Sequence, residues 1–113
     1  MSFSERDEFL VREIIEAIDF AKQFVQDMSR EDFIADYKTQ AAVAMMFQRF
    51  GECGGKLSDF AKQKSKVDWR LISGLRNRVS HDYSSLDADI IWSVVENDLD
   101  ELRKRCAALL KMF

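Results

Sequence analysis

Residues 41–64 read AAVAMMFQRFGECGGKLSDFAKQK, and the parsing of this stretch decides how many helices the chain has. Ala41, Ala44, Met45 and Phe47 lead to Phe50 at helical spacing. Gly51, Gly54 and Gly55 follow, and on propensity they weaken or end a helix. Leu57, Phe60 and Ala61 nevertheless continue the apolar phase. The phase favours one helix from near Asp36–Thr39 to about residue 63, with the glycines marking close backbone contact with a neighbour. The small side chains of Ala41, Ala42 and Ala44 would let another helix approach closely. On this reading Lys62 to Val67 is a loop.

Outward from this stretch the pattern is helical throughout. Ser4 and Asp7 have the spacing of an N-cap pair. Phe9, Ile14, Ile18, Ala21, Val25 and Met28 then predict a first helix over about 5–27 with an acidic outer face. Ser29 and Asp32 repeat the capping pattern and predict a short helical turn around 30–35. Asp68 is a good N-cap for a helix ending near His81, with Leu71, Ile72, Leu75 and Val79 on its core face. Trp69 is its packing anchor, and Gly74 is small where another helix presses. A last helix over about 88–111, capped by Asp87 or Ser85, presents Ile91, Val94, Val95, Leu99, Leu102, Cys106, Leu109 and Phe113. The chain has no proline and only four glycines, too few for the turns of an all-β protein. The expected fold is all-α: an antiparallel four-helix bundle with an extra short helix, in a single domain spanning 1–113.

The apolar content of 47% and charged content of 33% are those of a soluble globular protein. The start, MSFSERDEFL, has no apolar signal core, and no apolar run is long enough to span a bilayer, so a cytoplasmic protein without a membrane role is expected. Cys53 and Cys106 lack metal-ligand or redox spacing and read as buried free thiols. The net charge of −3 hides an asymmetry. Residues 1–36 carry ten acids against four bases, whereas residues 62–78 carry six bases against one acid, Asp68. A polyanion is attracted to the second segment and repelled by the first.

That basic segment ends in RNRVSHDY, Arg76 to Tyr83, which contains the only histidine of the chain, His81. Histidine transfers protons near neutrality, and the planar fork of arginine grips a phosphate with two hydrogen bonds. Along a straight helix Arg76 and His81 diverge by about 140°, whereas Arg76 and Tyr83 differ by only about 20°. Arg76 and His81 therefore meet on one phosphate only if the helix ends between them or a second subunit contributes. Metal-free RNA cleavage needs a base for the 2′-hydroxyl, an acid for the departing 5′-oxygen and a cation for the phosphorane. One histidine cannot easily serve as both base and acid in one step, but two copies in a symmetric dimer can. The chain has neither a metal-ligand cluster nor a P-loop, so no metal and no cofactor is expected.

The arrangement Arg76-x4-His81-x-Tyr83 resembles the HepT-like branch of the HEPN domains. "GEC" at Gly51–Cys53 resembles that family's "GEA", with cysteine in place of the commoner alanine. VDWRLISGLRNRVSHDY (67–83) resembles its central block, and SLDADIIWSVVENDLDELRKR (85–105), with Asp87 and Trp92, its last helix. The resemblance implies a homodimer with both motifs in one cleft and a metal-independent endoribonuclease acting on RNA. It further implies the toxin of a type II/VII-like toxin–antitoxin pair, with an MNT-type nucleotidyltransferase as antitoxin. Arg76 and His81 are then catalytic, Asn77, Arg78 and Tyr83 support them or bind phosphate, and Tyr83 is the acceptor of AMP from the antitoxin. The alternative is a non-catalytic module that binds a nucleotide or presents a substrate to a nucleotidyltransferase. A purely structural helical dimer is the plainest reading of the same residues.

Overall fold

The computed structural model describes residues 2–79 and 86–113; at 76–79 it describes the helical backbone. Seven helices follow one another: α1 (Asp7–Phe24), α2 (Arg30–Ile34), α3 (Tyr37–Gly55), α4 (Asp59–Ser65), α5 (Trp69–Val79), α6 (Ala88–Asn97) and α7 (Leu99–Leu110). Helices α1, α3, α5 and the consecutive pair α6–α7 form the four walls of an antiparallel bundle. The direction of each wall follows from its side-chain partners. Arg49 of α3 reaches Glu13 and Glu16 of α1, Arg103 of α7 reaches Asp19, and Phe3 lies against Phe113.

Helix α1 buries Leu10, Val11, Ile14, Ala17, Ile18 and Ala21, one stripe at a spacing of three and four. Phe9, expected on that stripe, lies about 140° off its centre and is 60% exposed. The helix stops at Phe24, three residues short of the expected end, because Asp27 takes a left-handed backbone (φ 65°) that an α-helix cannot continue. Helix α2 begins in a reciprocal capping box between Ser29 and Asp32, as expected. It plants the buried Phe33 against Trp92 of α6, while Arg30 pairs with Asp89.

Residues 41–64 do not form one helix. Helix α3 ends at Gly55, and Ser58 opens α4 by accepting a hydrogen bond from the Ala61 amide at 3.1 Å. The expected loop over 62–67 is mostly helix, with α4 running to Ser65 before Lys66 turns left-handed at φ 58°. Asp7 holds the break in place. Its buried carboxylate, 51 residues away in sequence, accepts from the Ser58 amide at 2.9 Å and the Ser58 hydroxyl at 2.6 Å, and from the Ser4 amide at 2.7 Å. Ser4, expected as the N-cap, does not cap α1: Arg6 holds that position without a side-chain hydrogen bond, and Ser4 donates its amide to Asp7. Asp7 ties the start of α1 to the junction of α3 and α4.

The expectation that the glycines mark close contact holds although the helix ends. A Cβ on Gly54 would stand 2.3 Å from the Trp69 ring, and one on Gly51 would stand 3.5 Å from the Ile72 carbonyl oxygen. Ala41, read as a helix contact, is exposed instead. Gly74 is not pressed either, since a Cβ there meets nothing within 4 Å. This contrast makes a prediction. Gly54→Ala should gain about 1 kcal/mol of helix propensity and lose more to overpacking, for a net loss of about 1–2 kcal/mol. Gly74→Ala, with open space around it, should stabilise by about 0.5–1 kcal/mol. Urea unfolding of the two variants beside the wild type reads both signs.

The last wall is two helices rather than one. It breaks at Asp98 (φ −117°, ψ −28°), which caps α7 without a side-chain hydrogen bond, just after Asn97, whose side chain donates back to the Ser93 hydroxyl. Helix α6 packs on α2, α3 and α5, whereas α7 packs on α1 and α4. The apolar face read from sequence is buried at Ile91, Val94, Leu99, Leu102, Cys106 and Leu109, while Phe113 is 41% exposed. Among the described residues, no helix is long and apolar enough to cross a membrane.

Candidate functional site

Helix α5 carries the first half of the basic motif, and its placement is set by four contacts. Asp68 caps it, accepting from the Arg70 amide at 3.1 Å and the Leu71 amide at 3.4 Å. The Trp69 ring lies on Gly54, and its indole N–H donates to the Ser65 hydroxyl at 2.9 Å. The Ser65 hydroxyl donates to the Lys62 carbonyl oxygen at 2.7 Å and also accepts from the Val67 amide at 3.3 Å. Its one donor and two acceptor positions are thus all used. Ile72 crosses Gly51, and Leu75 is buried beneath. Leu71, expected in the core, is 62% exposed.

Arg76, Asn77 and Arg78 lie in the last turns of α5, so the motif begins in a helix, as read from sequence. His81 and Tyr83 lie outside the described residues, and with them the convergence of Arg76 and His81. The contacts Gly54–Trp69 and Gly51–Ile72 set the antiparallel register of α3 and α5. One turn further along, the backbone of Arg76 is level with Phe47, next to Gln48. Between the two helices runs a groove of about 200 Å³, lined by Phe47, Gln48, Gly51, Glu52, Gly55, Ile72 and Ser73. Gln48 donates to Glu52 along its edge at 3.4 Å. Sequence reading gave these two residues no role. Their signal was their spacing of four on either side of Gly51, the glycine that lets α5 come close.

The other flank of α5 faces α6 and α7 across a cleft of about 340 Å³, with Phe50, Leu75 and Leu99 among its apolar lining and Lys66 and Arg105 at its edge. The basic run preceding α5 is partly committed to structure. Lys62 donates to the Gly55 carbonyl oxygen at the end of α3, where a cation suits the helix dipole, and Lys64 lies over the Phe60 ring. The Arg70 side chain is exposed and has no partner among the described residues. The acids of α1 are engaged elsewhere. The hydrogen bond from Arg103 holds the Asp19 carboxyl below its usual range, and Glu13 and Glu16 together raise the Arg49 guanidinium.

Both cysteines are free, as read from sequence, but only Cys106 is buried, Cys53 being half-buried. Burial pushes the Cys106 thiol up to about 12 and is also the main cause of the rise at Cys53, so neither is poised as a thiolate. Among the described residues, no cluster of three or more His, Cys, Asp or Glu side chains could hold a metal ion.

The family model "Ribonuclease HepT-like" matches residues 14–109. The chain belongs to the HepT-like ribonuclease family. Its relatives include a protein of Thermococcus cleftensis named "Probable ribonuclease HepT", 29% identical over 89% of this chain and 93% of that protein. Two others are provisionally named RNases. One is from Caldanaerobacter subterraneus subsp. tengcongensis, 29% identical over 87% of this chain and 88% of its own length. The other is from Methanocaldococcus jannaschii, 30% identical over 88% of this chain and 83% of its own length. No solved structure gives a significant match. The HepT-like match spans α1 from Ile14 to Leu109 near the end of α7, so it covers all four walls of the bundle.

Proposed function

We propose that the chain is a metal-independent endoribonuclease whose site is assembled from two copies. What supports this reading is the complete Arg76-x4-His81-x-Tyr83 motif, led into by a firmly anchored helix, in a chain that matches the HepT-like family along most of its length. Arg76 holds the scissile phosphate and stabilises the charge that develops on it. One His81 takes the proton of the 2′-hydroxyl, whose oxygen attacks phosphorus. The other His81 gives a proton to the 5′-oxygen as the P–O bond breaks. The products are a 2′,3′-cyclic phosphate and a 5′-hydroxyl. Asn77, Arg78 and Tyr83 orient the phosphate. In the cell the protein is a toxin, restrained by an MNT-type nucleotidyltransferase that transfers AMP to Tyr83. The added bulk and negative charge beside the cleft oppose RNA phosphates.

The test is cleavage of a mixed RNA pool in EDTA by purified wild type and His81→Ala side by side. Loss of cutting in the variant alone is the expected result. Equal cutting by both would remove the assignment. If neither cuts while mass spectrometry finds Tyr83 unmodified, the protein is a binding module and not a nuclease.

The basic face leading to the motif supplies a second measurement. Arg70 sits one turn before Ser73 and two before Asn77 on α5, with its guanidinium open to solvent. As a phosphate contact it adds sequence-independent affinity. Arg70→Ala should weaken RNA binding uniformly across sequences and reduce the slope of log K against log salt by about 1. An unchanged slope would take Arg70 off the RNA path.

A further inference from the structure

The groove between α3 and α5 is walled on one side by backbone. Gly51 and Gly55 bring no side chain to it, and at Gly51 the helices run so close that a Cβ would touch the Ile72 carbonyl oxygen at 3.5 Å. Phe47 and Ile72 make its floor apolar. Gln48 and Ser73, both exposed, stand at its rim. Gln48 spends one amide N–H on Glu52 and keeps its second N–H and its carbonyl oxygen. The Ser73 hydroxyl has no hydrogen-bond partner among the described residues. The rim thus offers donors and acceptors side by side above an apolar floor.

At about 200 Å³ the groove is smaller than the roughly 300–1,000 Å³ of pockets that hold whole small molecules, and it has room for one flat ring system. Its lining contains no cation, and its one charged side chain is the carboxylate of Glu52, so a phosphate is not held there. A heterocycle with apolar faces and a polar edge suits it. The faces lie on Phe47 and Ile72, and the edge meets Gln48 and Ser73. The groove is also next to the motif. Position 76 lies three residues beyond Ser73 on α5, about 4.5 Å along the axis, and position 77 continues the Ser73 stripe one turn on.

We infer that this groove seats one nucleobase of the RNA, splayed out from the strand beside the phosphate that Arg76 holds. The inference rests on the RNA reading proposed above and deepens it by naming the form of the substrate. The RNA is single-stranded at this nucleotide, because a paired and stacked base cannot turn its edge to Gln48 and Ser73. A seated base also fixes the sugar and phosphate attached to it. The groove therefore selects which bond of the strand is presented for cleavage, while Arg76 grips any phosphate alike.

The test is fluorescence anisotropy of the full chain with two synthetic probes of equal length and charge. One is a ribose–phosphate chain without bases. The other carries a single adenine at its centre and can slide until that base is seated. Phosphate contacts are the same for both, so the ratio of the two Kd values reads the groove alone. Wild type should bind the adenine probe about tenfold more tightly, within the range that one seated base contributes. Ser73→Phe, which fills the groove from its rim, should bind both probes equally. Gln48→Ala, which keeps the floor and loses the edge, should retain a preference of about threefold. A wild type without preference overturns the proposal, and so does a Ser73→Phe protein that keeps it. Should circular dichroism show that Ser73→Phe has lost helicity, a Gln48→Ala protein with the full tenfold preference overturns it instead. The RNase reading fails separately. Preference without any RNA cleavage keeps the groove as a base site and removes the nuclease, whereas cleavage without preference removes the base site and keeps the nuclease.

Discussion

Replacing His81 with alanine is expected to lower metal-free RNA cleavage by about 10²- to 10⁴-fold, the usual worth of positioned proton transfer. The chain has one histidine, so no second imidazole within the protomer can take over. The stronger form of the prediction concerns mixtures. If a cleft needs one His81 as base and the other as acid, a dimer with one wild-type and one His81→Ala protomer is inactive. After subunit exchange at equal concentrations, cleavage should fall to roughly a quarter of the undiluted wild-type rate, since only that share of dimers keeps both histidines. A rate of one half would mean that each protomer works alone, and the two-histidine mechanism would be lost. Arg76→Ala should cost about 10²- to 10³-fold, the range for removing one group that stabilises developing charge. His81→Ala and Arg76→Ala together should cost much less than the product of the two, because they act on the same step.

The second large effect is on stability. Asp7→Ala removes a buried carboxylate that accepts three hydrogen bonds and leaves the Ser58 cap of α4 without its anchor. Hydrogen bonds to a charged group are worth about 1.5–3 kcal/mol each, but exposed Ser4 recovers water. The net loss should be about 2–4 kcal/mol, lowering Tm by roughly 10 °C in a domain of this size. The pH dependence gives a specific check. Burial pushes the Asp7 carboxyl up, but the hydrogen bonds from Ser58 and Ser4 together outweigh it and hold the group below its usual range. The folded chain therefore binds this proton less tightly than the unfolded chain. The stabilisation is complete above the ordinary carboxylate range near pH 4 and is lost as pH falls through the lowered folded value. The gap between wild type and Asp7→Ala should be constant from pH 7 to about 5 and close below about 4. A gap that widens in acid would mean that Asp7 is not held as a carboxylate.

The all-α bundle was legible because its walls carry their own periodicity. Leu10, Ile14, Ile18 and Ala21 on α1 and Leu99, Leu102, Cys106 and Leu109 on α7 are buried at the spacing the sequence shows. Local caps were plain at Ser29 and Asp68, since each needs only residues two or three further on, and of the two caps left open for the last helix Asp87 is the one that caps α6. The errors arose where distant partners decide. Continuous apolar phase through Leu57 and Phe60 argued for one helix, but Ser58, oriented by Asp7 from the far end of the chain, starts a new one. The break at Asp98 carries neither glycine nor proline. Of the candidate site, Arg76, Asn77 and Arg78 lie in a helix as expected, while His81 and Tyr83 fall outside the described residues. Glu52 already stood in the GEC of the resemblance, but its place with Gln48 beside α5 became visible only once Gly51 had brought that helix close.

The division of the last wall at Asp98 gives the two halves of the molecule different freedoms under mutation. Helix α7 packs chiefly on α1 and α4 and meets α5 only across the open cleft, whereas α6 packs directly on α2, α3 and α5. Substitutions that repack α7 against α1 can drift without re-aiming α5, because no rigid rod transmits a shift from one segment to the next. Across distant relatives, residue changes should therefore accumulate faster along the α1–α7 contact than along α3, α5 and α6. In this chain, thermal robustness and catalytic geometry can evolve at separate rates.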